Sequence, residues 1–169
     1  MDMLTPPPWS PPPAFPLGAI PIPPPLLALT CACGSVRRAS RAITRTYAWE
    51  LRGTGLNPTQ FTLLQALDCL GPITQRALGE ALAIQTCTLS RTLSPLERYG
   101  WILAHRGPRR RRLRWDITSL GRVRLEAASV AWRRAERNVR GQLDDAISTP
   151  LANALSAVTT AAQVALAAM

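Results

Sequence analysis

Hydrophobic residues recur every three or four positions from about residue 31 onwards, a spacing typical of helices that bury one face. The pattern predicts six helices, and between the fourth and the fifth the period changes to two, which predicts a β-hairpin. We expect the first helix to end at Gly53. Its apolar stripe consists of Val36, Ala39, Ile43, Tyr47 and Leu51.

The second helix has start and stop signals at both ends. Asn57-Pro58 is typical of an N-cap followed by the first helical position, and Gly71-Pro72 is typical of a helix end. Cys69 is expected to lie in the core with this helix. The expected buried face consists of Phe61, Leu64, Leu67 and Leu70.

Two short helices separated by a turn come next. Thr74 is expected to cap the third helix, Thr74–Leu82, and the fourth runs from near Thr86 to about Tyr99, with Pro95 expected to kink it or to leave one backbone hydrogen bond unmade. The expected inward residues are Ala77, Leu78, Ala81, Leu82, Leu89, Leu93 and Leu96. The opposite face of the fourth helix carries short hydroxyl side chains and one arginine: Thr86, Thr88, Arg91 and Thr92.

The segment Trp101–Ile117 predicts a β-hairpin. Its second half alternates Leu113, Trp115 and Ile117 with polar residues, which is typical of a half-buried strand. Gly107-Pro108 begins the turn, and arginines form its tip. Two helices, a turn and a basic hairpin predict a winged helix-turn-helix that binds duplex DNA.

The last two helices are predicted to begin after Thr118 and at Thr149-Pro150. The final helix is almost uncharged, and its apolar residues are Leu151, Leu155, Val158, Ala162 and Leu166. We expect this helix to pack against another chain, and a frayed, alanine-rich tail is the alternative.

Composition and charge favour a polyanionic partner. The chain has 169 residues, which suits one domain, and its formal net charge is +10, carried by arginine with no lysine. Charge alone does not separate DNA from RNA or an anionic membrane. The concentration of six arginines and no acid between His105 and Trp115 favours a nucleic-acid contact at the hairpin.

Residues 1–30 differ from the rest because they hold 11 of the 16 prolines. Proline excludes helices and central strands. We interpret this segment as a disordered or polyproline arm, or as upstream sequence joined by a misassigned start codon; a proline-motif ligand for a partner protein is the other alternative.

No arrangement of residues indicates catalysis, a cofactor or a metal. His105 is the single histidine, and its position predicts a contact at the base of the wing or with a phosphate. We therefore expect the chain not to be an enzyme, and to need no cofactor. Without a secretory signal or an uninterrupted apolar run long enough for a bilayer, we expect a cytoplasmic, nucleoid-associated protein with free thiols.

Three segments resemble the multiple-antibiotic-resistance regulators, the MarR family: Leu56–Leu64, Leu82–Gly100 and Leu113–Gly121. The resemblance covers about Cys31 to Leu143. It implies a mainly α fold, an α+β winged helix with a dimerisation region from the first and last two helices. It also implies a homodimer that binds a pseudo-palindromic operator as a transcriptional regulator, usually a repressor released by a small phenolic ligand or by thiol oxidation.

The expected domains are a proline-rich arm at 1–30, a winged helix domain at 31–147 and a C-terminal dimerisation helix at 148–169. Within the middle domain, 74–99 is the helix-turn-helix and 101–117 is the wing. Relatives often have glycine where this chain has Ala83, and the aspartate of the relatives' wing is replaced here by Gly107-Pro108 and four arginines. We therefore expect the wing to contribute affinity more than discrimination.

The expected DNA-binding residues are Thr86, Thr88, Ser90, Arg91, Thr92, Arg109, Arg110, Arg111 and Arg112. Arg91 is expected to contact bases, since arginine often binds guanine. For Thr86 and Thr88, base contact and phosphate contact remain equal alternatives. The wing arginines are expected to follow the backbone, with one in the minor groove.

Cys31 and Cys33 are candidates for redox sensing. They are predicted at a helix N-terminus near Arg37 and Arg38, and both features increase thiol reactivity. Any bridge is expected between subunits, because residues one apart seldom bridge each other. Two unreactive thiols at a mobile junction are the alternative. For the whole chain, the alternative function is a sequence-tolerant, basic nucleic-acid-coating protein.

Overall fold

The computed structural model describes residues 31–106, 113–143 and 145–169. These residues form six helices and three short strands. The helices are α1 (Ala32–Glu50), α2 (Pro58–Leu70), α3 (Gln75–Leu82), α4 (Thr86–Arg98), α5 (Ser119–Arg140) and α6 (Asp145–Ala167). The strands are β1 (Ile73–Thr74), β2 (Ile102–Arg106) and β3 (Leu113–Ile117).

The strands form an antiparallel sheet in the order β1-β3-β2. Ala104 and Ile73 both face Trp115 across the sheet, so β3 is the central strand. The hairpin was predicted, whereas β1 was not, because two residues are too few to show a period. β1 pairs the start of the helix-turn-helix with the wing, and the two parts of the predicted DNA-binding unit therefore share one sheet.

Side-chain caps fix the beginnings of three helices as the sequence predicts. Asn57 and Gln60 form a capping box at α2, in which each side chain accepts a hydrogen bond from the other residue's backbone N–H. Thr74 accepts from Ala77 N at α3, and Thr118 accepts from Gly121 N at α5. Such a cap stabilises a helix by roughly 1 kcal/mol.

The core joins α2, α4, the sheet and α5. The predicted anchors of α4 are all fully buried, and so are Leu64 and Leu67 of α2. Leu63 is also fully buried, although it was not assigned to the core. Leu70 and Cys69 were assigned there wrongly, because both are exposed at the end of α2, and Ala81 is exposed on α3.

α1 packs on α5 through an aromatic cluster and a polar seam. The rings of Phe61 and Trp132 stack with centroids 4.1 Å apart, and Tyr47 meets Trp132 edge-on at 4.4 Å. The Tyr47 hydroxyl donates to Glu136, and Arg134 Nε lies 2.5 Å from Glu50 Oε2. The C-terminal half of α1 is thereby fixed to α5.

The part of the α1 stripe that precedes Tyr47 and the whole of α6 differ from this pattern. Val36 and Ile43 are 38% and 37% exposed, although their stripe was predicted to be buried. α6 begins at Asp145 and contains Pro150, rather than beginning at Thr149-Pro150, and no described residue of α6 is buried. By length and composition alone, the stretch Pro150–Ala167 just reaches the apolar character of a membrane-spanning helix. The isolated chain therefore exposes apolar surface on α1, its first helix, and on α6, its last helix.

Candidate nucleic-acid interface

α4 has two faces of opposite character. Leu89, Leu93 and Leu96 are fully buried and fix the helix on the core. The residues predicted to contact DNA are on the other side: Thr86, Thr88, Ser90 and Arg91 are exposed, and Thr92 is half-buried. The sequence-predicted face of α4 is therefore brought to the surface as one short polar strip.

Pro95 does not interrupt α4, which continues to Arg98. Proline carries no N–H and therefore leaves one backbone acceptor without its helical partner. Pro95 lies in the last turn but one, beyond the polar strip. The strip itself is presented by regular helix.

A tight turn sets α4 relative to α3. Ala83 adopts the left-handed conformation, with φ of 53°, and Ile84 N donates to Gly79 O over 2.8 Å. A side chain at Gly79 would bring its Cβ to 2.8 Å from the backbone oxygen of Ile84. Only glycine permits this close approach at residue 79, whereas Ala83 takes a conformation that glycine adopts without strain. The geometry gives a physical reason for the glycine that relatives often carry at the position of Ala83.

A hydrogen-bond network joins the start of α3 to the polar strip of α4. Gln75 Nε2 donates to Thr86 O over 3.2 Å and to Ser90 Oγ over 2.5 Å. Ser90 Oγ in turn donates to Thr86 O over 3.0 Å. Gln75 was not assigned a function from the sequence, because neither its residue type nor its position at the beginning of α3 is distinctive.

The hydroxyl of Thr92 is also engaged within α4. Thr92 Oγ1 donates to Thr88 O over 3.1 Å. Since its hydrogen is directed along the helix, Thr92 is less suited than Thr86 or Thr88 to donate to DNA. Arg91 forms no ion pair with an acid among the residues that the structure describes, and its side chain is exposed.

The base of the wing is held against the helix-turn-helix. Arg114 on β3 pairs with Thr74 of β1, and its Nη1 donates over 2.9 Å to the carbonyl oxygen of Pro72, the residue before β1. His105 lies opposite Arg114 in the register of β2 and β3, and its buried Nδ1 has no hydrogen-bond partner among the described residues. The predicted contacts Arg109, Arg110, Arg111 and Arg112 lie outside the described residues. Their role remains a prediction from the sequence.

The thiols are accessible. Cys31 is the N-cap residue of α1 and makes no side-chain capping bond, and Cys33 lies in the first turn. Both are exposed, as is Cys87 in the first turn of α4, where its Sγ lies 3.9 Å from Gln85 Oε1. The structure therefore places the two candidate redox residues on the surface, at the predicted helix start.

A cleft of about 430 Å³ lies behind the helix-turn-helix, between α1, α2 and the α3–α4 turn. Tyr47 and Trp132 contribute its aromatic surface. Burial, followed by the hydrogen bond to Glu136, raises the pKa of Tyr47, so its hydroxyl remains a donor at neutral pH. The other lining residues are Ile43, Thr44, Pro58, Thr59, Thr62, Leu63, Leu82 and Ile84.

Comparison with known proteins shows that this geometry is similar to that of transcriptional regulators. Residues 56–113 match the MarR family. The chain is 24% identical over 110 residues to YwoH, an uncharacterised HTH-type transcriptional regulator of Bacillus subtilis, covering 65% of this chain and 80% of YwoH. The residues that match the family include α2, the helix-turn-helix and β2.

Solved structures extend the similarity to the flanking helices. The Mycobacterium tuberculosis regulator MosR in complex with DNA aligns with a TM-score of 0.72 at 28% identity, covering 80% of this chain and 98% of MosR. The Streptomyces coelicolor regulator PcaV, solved with its natural ligand, shares the fold with a TM-score of 0.71 at 22% identity, covering 79% and 94% of the two chains. The predicted mainly α, winged-helix fold is confirmed.

Proposed function

We propose that the chain is a sequence-specific, duplex-DNA-binding regulator of transcription that acts in the cytoplasm as a homodimeric repressor. The match of residues 56–113 to the MarR family and the similarity to MosR in complex with DNA support the proposal. The two-faced α4 is the observation that carries the proposal. Three leucines with no exposed surface fix its position, and a strip of short polar side chains with Arg91 faces outwards. Such a helix fits the major groove, where small side chains allow close approach to base edges.

The homodimer is supported by surfaces that a single chain leaves uncovered. Val36 and Ile43 on α1 belong to the same apolar stripe as Tyr47, but they are exposed whereas Tyr47 is buried. The helix α6 also exposes a row of apolar residues. Large apolar patches on soluble proteins are usually interfaces. A two-fold dimer places two copies of α4 about one DNA turn apart, which suits a pseudo-palindromic operator.

Release of the operator by a small phenolic ligand is supported by the cleft of about 430 Å³, a volume suited to a small molecule. Its walls are largely apolar, and they include residues of the α3–α4 turn. The Tyr47 hydroxyl donates its hydrogen to Glu136 and can accept one from a phenolic ligand. A ligand there would contact both α1, the proposed dimerisation helix, and the helix-turn-helix. PcaV, which shares this fold, was solved with its natural ligand.

A cleft-filling variant tests this mode of release. Thr44→Trp should reduce the concentration-dependent loss of operator binding that a phenolic acid such as 4-hydroxybenzoate produces. Thr46→Trp is the matched control, since Thr46 lies on the same helix and outside the cleft lining. An equal response of both variants to every phenolic compound tried would exclude the cleft as the effector site.

Thiol oxidation is the second proposed release signal. Cys31 and Cys33 are exposed at the start of α1, beside the surface assigned to the dimer, so a bridge between subunits would change how the two copies meet. A gel shift repeated with hydroperoxide and then with reductant should show reversible loss of binding. The loss should disappear when both residues are replaced by serine, and Cys87→Ser separates it from modification of α4.

A competition experiment tests the central proposal against the sequence-tolerant coating protein. The purified chain should protect an inverted repeat in the DNA upstream of its own gene and retain it in excess genomic DNA. Transcription from that promoter should fall when the protein is added. If genomic DNA and the unlabelled inverted repeat displace the labelled repeat from the protein equally well, the coating protein is supported instead. A monomeric mass in solution at micromolar concentration would contradict the dimer.

A further inference from the structure

The hydroxyl of Ser90 has only one hydrogen-bonding position left for a ligand. A serine hydroxyl offers one hydrogen and two lone pairs. Its hydrogen is directed to Thr86 O at 3.0 Å, because a carbonyl oxygen can only accept. One lone pair accepts from Gln75 Nε2 at 2.5 Å. One lone pair remains, and Ser90 is exposed.

The orientation of the Gln75 amide is fixed by the same carbonyl. Nε2 lies 3.2 Å from Thr86 O, and exchanging the amide nitrogen and oxygen would place two acceptors against each other. Gln75 therefore acts as a double donor, from the first residue of α3 to the first two turns of α4. Its removal would leave Ser90 with a second open lone pair and a hydrogen that can rotate towards other acceptors.

An acceptor-only hydroxyl distinguishes between the groups that DNA presents. Phosphate oxygens only accept, so they gain no hydrogen bond from Ser90 in this state. In the major groove the donors are the exocyclic amino groups, N6 of adenine and N4 of cytosine, whereas guanine and thymine present O6, N7 and O4 as acceptors. The network thus excludes half of the base edges and all phosphates as partners of Ser90.

We infer that Ser90 is a specificity-determining residue that accepts from the amino group of an adenine or cytosine in each half-site, and that Gln75 is the positioning residue which keeps its hydroxyl acceptor-only. The inference rests on the proposed function, since it requires α4 to lie in the major groove. It assigns a role to Gln75, a residue outside the polar strip, and restricts Ser90 to bases.

Selection from a randomised duplex pool tests the inference. The wild-type protein should enrich adenine or cytosine at one position of each half-site, and Ser90→Ala and Gln75→Met should flatten that position while leaving the others unchanged. Methionine keeps the length of Gln75 without a donor. Gln142→Met, at an exposed residue beyond α5, is the matched control and should retain the wild-type preference.

A base analogue gives the direct readout. The probe is the selected duplex in which the enriched base is replaced by purine or pyrimidin-2-one, which lack only the amino group. Wild-type affinity should fall about three- to ten-fold per half-site, the equivalent of one hydrogen bond, and both variants should lose much less. A merely structural role of Gln75 would weaken both duplexes equally and leave this difference in place.

The outcomes separate the two proposals. If the wild-type protein enriches a sequence but is indifferent to loss of the amino group, the inference is wrong and the proposed function stands. Equal sensitivity of the wild type and both variants to that loss also overturns it. If the wild type enriches no sequence at all, the proposed function fails, and the inference fails with it.

Discussion

Gly121 is the position at which a single methyl group should damage this fold most clearly. It lies in the first turn of α5, where the chain leaving the wing crosses Trp101, the residue before β2. A Cβ there would overlap the carbonyl oxygen of Trp101, 3.0 Å from its carbon, and would lie 2.8 Å from Ile117 Cγ1. Trp101 and Ile117 are both buried in the core.

Neither neighbour can move away cheaply. The carbonyl of Trp101 accepts from Thr118 N at 3.0 Å, and Thr118 Oγ1 both donates to Gly100 O and caps Gly121. Overpacking of this kind costs about 1–3 kcal/mol. A weakened hydrogen bond adds about 1 kcal/mol. The higher helix propensity of alanine offsets about 1 kcal/mol of this loss in the free energy of unfolding. We therefore expect Gly121→Ala to lower the free energy of unfolding by about 2 kcal/mol.

Chemical denaturation followed by circular dichroism measures the effect, with thermal unfolding as a second observable. The midpoint temperature should fall by about 4–8 °C for a chain of this size. Gly34→Ala is the matched control, since Gly34 lies in α1 and, among the residues that the structure describes, no atom beyond its own stretch of helix comes within 4 Å of an added Cβ. The control should be neutral or slightly stabilising. Equal stability of Gly121→Ala and the wild type would refute the assignment of this crossing as close-packed.

Ala83→Gly should raise the free energy of unfolding by about 0.5–1 kcal/mol, because alanine is strained at φ of 53°; an unchanged or lower denaturation midpoint would contradict this. Arg91→Ala should weaken the operator more than a scrambled duplex, and comparable losses in a titration would argue against base contact. Replacing Arg109–Arg111 by alanine should weaken both duplexes alike and reduce the salt slope by about 0.9 for each phosphate that is no longer neutralised. Operator affinity that stays unchanged across salt concentrations would exclude the wing as a phosphate-binding element. Tyr47→Phe should cost about 1 kcal/mol at neutral pH. The hydrogen bond from Tyr47, followed by that from Arg140, lowers the pKa of Glu136, so this contribution is present above the unfolded pKa of about 4.5 and is lost as pH falls through the folded value. A pH-independent difference between the variant and the wild type would contradict it.

The helix-turn-helix and the wing strand β3 were predictable because the sequence patterns that indicate them lie within single elements. Three leucines at helical spacing anchor α4, and a capping threonine precedes each of α3 and α5. Alternation from Leu113 to Ile117 located β3. Each of these signals depends on the order of residues within one element, and the structure has each element where its signal predicts it.

Features that depend on interactions between distant segments were not predictable. Val36 and Ile43 follow the same stripe as Tyr47, and periodicity cannot tell whether a stripe meets its own chain or remains uncovered. Gln75 acquires its role from Ser90, fifteen residues later, which no pattern within α3 indicates. The aromatic stacking of Phe61 on Trp132 likewise joins residues that are far apart along the chain.

Because α6 is exposed in the single chain, we expect its folding to depend on protein concentration. A helix of 23 residues with no described residue buried has little tertiary packing of its own, and isolated helices are marginal in water. In the proposed dimer, its helicity follows mass action, whereas the winged helix keeps its own core. Lowering the protein concentration should therefore melt α6 first, before the cooperative unfolding of the remainder. The amount of regulator in a cell would then set the fraction of chains with a complete C-terminal helix, as well as the occupancy of the operator.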